Sequence, residues 1–151
     1  MPNIAKNKQG LYDYEIFETY EAGIVLSGPE VKSIKAGQIN LKGSYVTIDG
    51  RNEAWLIGAH ISKYKPAAGV QADYDPMRKR KLLLAKKELI SLKTKSQQPG
   101  LTILPISVYT KRGLIKCEIG LGRGKKKFDK REQMKKRQIQ KDIRQRLKGA
   151  F

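Results

Sequence analysis

Two runs of cations hold the chemistry this chain advertises most strongly. Residues 123–148 read RGKKKFDKREQMKKRQIQKDIRQRLK, with 13 Lys and Arg against only Asp129, Glu132 and Asp142. Upstream, Arg78-Lys79-Arg80-Lys81 places four cations side by side. Charges at this density repel one another. A polyanion relieves that repulsion, and each phosphate neutralised releases condensed counterions. The C-terminal run has too few apolar residues to offset its ordering entropy, so it is expected to be disordered alone and to fold on a polyanion. Ile139, Ile143 and Leu147 recur at i, i+4, i+8, beside a basic strip of Arg137, Lys141, Arg144 and Lys148. A lone helix of that length is marginal in water and needs a partner's surface. The competing readings are a solvated loop for the first run and a solubilising tail for the second.

Residue types for catalysis are scarce. His60 is the single histidine and Cys117 the single cysteine. No Cys/His cluster has metal-ligand spacing, so no metal is expected. Neither a phosphate-binding G-x-x-x-x-G-K-[ST] loop nor a helix-opening G-x-G-x-x-G is present, so no cofactor is expected. Gly120-Leu121-Gly122-Arg123-Gly124 reads as a flexible exit into the tail, and Asp73 and Asp75 read as a turn before Pro76. With 32 Lys and Arg against 14 acids, the net charge of +18 points to nucleic acid first and an anionic membrane second. The membrane reading is weaker because the tail lacks Trp. MPNIAKNKQG lacks a signal-peptide core, and no apolar run approaches the ~18 residues of a span. A soluble, cytoplasmic, monomeric protein is expected.

The elements that must carry these charges are short. Leu11–Phe17 and Glu21–Leu26 read as two strands. Ser27-Gly28-Pro29-Glu30 opens a helix with a capping box, and Gly37 closes it. Val31 and Ile34 face the core, and Lys32 and Lys35 face out. Ser44–Ile48 and Glu53–Ile61 pair around an Asp-Gly turn. Residues 62–77 are loop. Leu82-Leu83-Leu84 and KKELISLK form a helix ending before Gln97-Gln98-Pro99-Gly100. Leu101–Tyr109 and Leu114–Leu121 form a hairpin in which Pro105 marks an edge or a bulge, and the buried phase of the second strand includes Cys117. The fold class is mainly β, a small antiparallel OB-like barrel of about six strands with two or three helices. The barrel occupies residues 1–122 and the basic tail 123–151. Such barrels commonly present a face or loops to RNA.

Several strings, in order along nearly the whole chain, closely resemble the SmpB family, small bacterial proteins that bind transfer-messenger RNA (tmRNA). They are Asn7-Lys8, Tyr12–Ile16, Glu21-Ala22-Gly23, Gly28–Ser33, Ala36-Gly37, Ser44-Tyr45-Val46, Asp75-Pro76-x-Arg78-x-Arg80–Leu84, Ile119–Leu121, and Gly124-Lys125-Lys126 running on to Asp129-Lys130-Arg131. The resemblance implies an RNA-binding adaptor and not an enzyme. It implies binding to the tRNA-like domain of tmRNA, in company with the elongation factor that delivers aminoacyl-tRNAs. The adaptor then acts at stalled ribosomes, whose decoding centre and mRNA channel, built of small-subunit rRNA, receive the tail.

Residue by residue, Glu21 fits a base contact, since a carboxylate accepts from base N–H groups. Asn7, Lys8, Lys32, Lys35, Arg78, Arg80 and Lys81 fit backbone contacts that position without specifying. Tyr12 and Tyr45 are stacking or core residues. The resemblance implies a tmRNA role for Leu83, where packing is the physical default. In the tail it implies ribosome contacts for Lys125, Lys126, Lys127, Phe128, Asp129, Lys130, Arg131, Arg137, Lys141, Arg144 and Leu147. Two positions depart from the family pattern. Ala85 stands where Asn or His is common, and Phe128 where His or Tyr is common; Phe can stack but cannot donate a hydrogen bond. The rivals are a ribosomal-protein or initiation-factor-like OB module with a basic tail, and a nuclease or RNA-modifying enzyme.

Overall fold

The structure, a computed structural model, describes residues 3–65, 73–125, 135 and 137–143. Its strands are β1 (Asn3–Lys6), β2 (Tyr14–Ile24), β3 (Ile39–Asn40), β4 (Tyr45–Ile48), β5 (Ala54–Ile57), β6 (His60–Ile61), β7 (Arg80–Leu83), β8 (Leu101–Lys111) and β9 (Leu114–Gly124). Its helices are α1 (Lys8–Asp13), α2 (Gly28–Lys35) and α3 (Lys86–Ser96). The strands run β1-β8-β4-β5-β7-β2-β9, and β8 also pairs with β9. That second pairing closes β8, β4, β5, β7, β2 and β9 into a six-stranded antiparallel barrel. β1 extends it along the far half of β8, and β3 and β6 form a separate pair.

Closure follows from the two long strands. β8 meets β4 near its start, at Ile103, and β1 near its end, at Ser107–Tyr109, while its other edge pairs with β9 throughout. Between those contacts the register slips at Pro105/Ser107. Proline cannot donate to the ladder, and the bulge bends the strand around the barrel. The interior holds Ile34, Leu56, Leu82, Leu92, Val108, Cys117 and Ile119, all essentially inaccessible. Each large aliphatic among them contributes about 1.5–3 kcal/mol by burial.

α2 forms as its sequence demands. Ser27 Oγ accepts the Glu30 N–H at 3.3 Å, and Glu30 Oε1 accepts the Ser27 N–H at 2.9 Å. Gly37, at φ +78, ends it.

Several local expectations are corrected. Residues 11–13 belong to α1 rather than to a strand. Asn7 caps that helix, and Gly10 lets it approach β8, where a Cβ would sit 2.8 Å from Leu104 Cδ1. The two strands expected at 11–17 and 21–26 are one strand, β2, bulged between Ile16 and Glu18. The strand expected over 53–61 breaks at Gly58, at φ +83, into β5 and β6. Leu82 and Leu83 lie in β7, not in a helix: Arg80 and Leu82 point inward while Leu83 points out, a two-residue period. α3 starts only at Lys86.

Gly120, Gly122 and Gly124 are strand residues rather than a flexible exit, and β9 crosses the expected boundary at 122/123. A Cβ on Gly120 would lie 2.7 Å from Ile106 Cδ1 and 2.9 Å from Ile16 Cγ2, so Gly120 permits close packing. Of the tail beyond Lys125, residues 135 and 137–143 are described and are helical, with Ile139 and Ile143 exposed.

Candidate nucleic-acid interface

The four-cation run is not a uniform patch. Arg80 is inaccessible to solvent. Its Nε donates to Glu30 Oε2 at 2.9 Å, its Nη1 to the Ala59 and Pro76 carbonyls at 2.8 and 2.9 Å, and its Nη2 to Tyr74 Oη at 2.8 Å. Glu30 is equally buried and also takes the half-exposed Arg78 guanidinium. Burial opposes ionisation of Glu30. The Ser27 N–H and the two guanidiniums outweigh it and hold the pKa at about 2. Arg80 is therefore corrected from a phosphate contact to an internal strut, with its guanidinium enclosed. Its flanking residues face outward. Lys79 Nζ lies 4.5 Å from the Trp55 ring centroid, and Lys81 lies 3.6 Å from Glu53.

Asn7 is corrected in the same way. Its Oδ1 accepts the Gly10 N–H at 2.9 Å, and its Nδ2 donates to the Pro105 carbonyl at 2.8 Å. It holds Lys8, which is exposed, at the start of α1.

The other expected RNA residues divide between the two ends of the β2–β9 ribbon. Tyr14 pairs with Gly124 at one end and Gly23 with Lys116 at the other. At about 3.3 Å per residue, that span is roughly 30 Å. The first end gathers Lys8, Tyr12 and Tyr45. There the described tail residue Arg137 lies over the Tyr12 ring, 5.8 Å from its centroid, and Lys8, Tyr12, Arg137 and Lys141 line one 410 Å3 cavity. Lys125 Nζ reaches the Leu11 carbonyl at 3.1 Å, so the last strand's exit is pinned to α1.

The second end carries Glu21 and Leu83. Tyr109 Oη donates to Glu21 Oε2 at 2.5 Å, and Lys111 Nζ lies 3.2 Å from its Oε1. The Tyr109 hydrogen bond first, and the Lys111 cation second, hold the Glu21 carboxyl below its usual range, so it is an anionic acceptor at neutral pH. Leu83 is half exposed and lines an apolar groove with Gly23, Ile24, Leu26, Val31 and Leu114. Lys32 and Lys35 are exposed on α2, the helix whose Val31 lines that groove, with Lys32 over Tyr64 at 5.7 Å. Lys126, Lys127, Phe128, Asp129, Lys130, Arg131, Arg144 and Leu147 lie outside the described residues.

Sequence reasoning missed some participants. Along the chain Glu30 reads only as a capping residue; its pairing with Arg78 and Arg80, 48 and 50 residues downstream, leaves no local signal. Phe17 is placed outward by the β2 bulge, half exposed with Arg123 over its ring at 5.5 Å. Ala85 occupies the N-cap of α3, where Glu88 reaches back to its N–H at 3.3 Å and no side-chain cap exists. Among the described residues no group of His, Cys, Asp and Glu is arranged to hold a metal. Burial pushes the Cys117 thiol up to about 12, so it is inert.

The chain is similar to the SsrA-binding protein of Nostoc punctiforme, 53% identical over 97% of this chain and 93% of the relative. It is also similar to that of Persephonella marina, 49% identical over 98% and 95%. A solved structure described as "tmRNA-SmpB: a journey to the center of the bacterial ribosome" matches with TM-score 0.67 and 46% identity, covering 82% of this chain and 85% of that one. The family described as SmpB protein matches residues 4–149, and the chain belongs to it.

Proposed function

We propose that this protein is an RNA-binding adaptor that binds the tRNA-like domain of tmRNA and brings it to stalled ribosomes for trans-translation. The observation that carries this reading is membership of the SmpB family over 4–149, with relatives named for SsrA binding and a structural neighbour named for tmRNA, SmpB and the bacterial ribosome. It does no chemistry of its own; peptide transfer belongs to the ribosome. Its place of action is the cytoplasm, and among the described residues no helix is long and apolar enough to cross a membrane.

An adaptor between two RNAs needs two RNA surfaces, and the separation of the two ends of the β2–β9 ribbon supports this. Glu21 and Leu83, with Lys32, Lys35, Arg78 and Lys81 around them, are the tmRNA surface, with Glu21 reading a base and the cations positioning the backbone. The tail, from Lys125 through Phe128, Asp129-Lys130-Arg131, Arg137, Lys141, Arg144 and Leu147, is the ribosome surface and folds in the empty mRNA channel. Phe128 stacks on a decoding-site base. The elongation factor arrives on the same tmRNA.

The test is peptide tagging in a reconstituted translation reaction on a message without a stop codon. Full-length protein supports tagging by tmRNA. Protein lacking 123–151 binds the tRNA-like domain and does not tag. Loss of tmRNA binding on truncation would contradict the two-surface arrangement.

A further inference from the structure

Glu21 stands directly opposite Glu118 in the β2–β9 pairing. Both side chains lie on the outer face, because the next pair along, Ala22 and Cys117, is buried. Two carboxylates in facing positions repel, so Glu21 needs a restraint to keep one orientation. That restraint comes from the far side of β9. Tyr109, on β8, pairs with Lys116, two residues along β9 from Glu118. Its ring crosses β9, and its Oη donates to Glu21 Oε2 at 2.5 Å. Lys111, also on β8, lies 3.2 Å from Oε1 and 3.3 Å from Oε2. Lys116 adds a further cation to the field at this carboxylate. Glu21 is thus held across an intervening strand by residues 88 and 90 positions away. Burial first, and the Glu21 hydrogen bond second, push the Tyr109 hydroxyl well above its usual range, so it keeps the proton it donates.

The two carboxylate oxygens are left unequal. Oε2 is committed to Tyr109, whereas among the described residues Oε1 accepts only from Lys111. We propose that Tyr109 is a positioning residue of the tmRNA surface, fixing the Glu21 carboxylate in one orientation with Oε1 presented to a base N–H. The inference rests on the adaptor reading above, in which Glu21 reads a base. Its physical basis is preorganisation. A free glutamate loses rotamer freedom when it binds, and a carboxylate already fixed does not. Tyr109 acts through Glu21 and needs no contact with RNA itself.

The experiment is a double-mutant cycle on the full-length protein, titrated against the tmRNA tRNA-like domain at several salt concentrations with elongator tRNA as competitor. Y109F removes one oxygen and keeps the ring. It should weaken tmRNA binding roughly 3- to 10-fold with the salt slope unchanged, and should add nothing once E21A is in place. Carbon-13 NMR of the Glu21 carboxyl supplies a readout that a purely structural role would not move. Its titration midpoint should rise in Y109F, because the Tyr109 hydrogen bond is the main force holding it down. Y20F is the control: it removes a tyrosine hydroxyl that donates to Glu18 on the same strand at 2.7 Å, and should leave both readouts of Glu21 unchanged. Wild-type affinity in Y109F, an unmoved midpoint, or an equal loss with and without Glu21 overturns the proposal. A wild type that binds tmRNA no better than tRNA contradicts the adaptor reading instead, and the Glu21 midpoint in Y109F then still decides whether Tyr109 fixes that carboxylate.

Discussion

Arg80 Nη2 lies 2.7 Å from Glu30 Oε2 with both side chains out of contact with solvent. The pair joins the first turn of α2 to the start of β7, and Tyr74 and the Ala59 and Pro76 carbonyls complete the hydrogen bonding. A buried pair of this kind is not strongly stabilising against an apolar replacement, but losing one partner strands the other charge.

Acid stability should report Glu30. Its pKa in the fold is about 2 against a reference of 4.5. Because the folded value is the lower one, the stabilisation is complete above about pH 5 and is lost as pH falls toward 2. At 1.36 kcal/mol per unit this amounts to about 3 kcal/mol. Urea unfolding at pH 7, 4 and 2.5 should show the decline. E30Q should lower stability at pH 7 and flatten the pH dependence; an unchanged profile would show that Glu30 is not the responsible group.

Arg78 and Arg80 should behave differently despite being two residues apart. R80A strands the Glu30 carboxylate, and unfolding should become easier by about 3–5 kcal/mol. R78A should cost far less stability and instead flatten the salt dependence of RNA binding by about one phosphate's worth. Calorimetry and binding titrations on both variants separate the roles. A stable R80A with a flattened salt slope would restore Arg80 to the RNA surface.

Ala85 is an N-cap without a capping side chain. A85N should supply the missing acceptor to the α3 amides and raise stability by about 1 kcal/mol, a few degrees in melting temperature. No rise in thermal scanning would mean that the N-terminus of α3 is already satisfied.

Gly120 and Gly124 should separate packing from flexibility. G120A forces a Cβ against Ile106 and Ile16 and should destabilise by about 1–3 kcal/mol. At Gly124 a Cβ meets nothing within 4 Å, and G124A should be near neutral. Equal effects in denaturant unfolding would contradict the packing account.

The legible parts of the fold were those with a local chemical cause. The α2 capping box, Gly37, the Asp49 turn and the Pro105 bulge each rest on one residue's stereochemistry, and each is found where its residue stands. What the sequence concealed depends on distant partners. Three consecutive leucines carry no period, and only the pairing of Leu82 with Ala54 and Ile24 and of Leu83 with Gly23 puts the first two in a strand. Gly120 resembles a hinge until Ile16 and Ile106 are brought against it. Arg80 and Lys81 are interchangeable as cations along the chain, and only Glu30, 50 residues upstream, decides which one turns inward. The residues expected to touch RNA are similarly mixed: Glu21, Lys8, Tyr45 and Leu83 are exposed, whereas Asn7 and Arg80 are buried and hold the scaffold.

The most direct test of the adaptor reading is a titration of the full-length protein against the tmRNA tRNA-like domain at several salt concentrations, with elongator tRNA as competitor. A marked preference for tmRNA that E21A and L83A erode, without changing the salt slope, is the predicted result. Equal affinity for both RNAs, unaffected by those substitutions, would contradict it and leave a basic barrel that binds RNA without choosing.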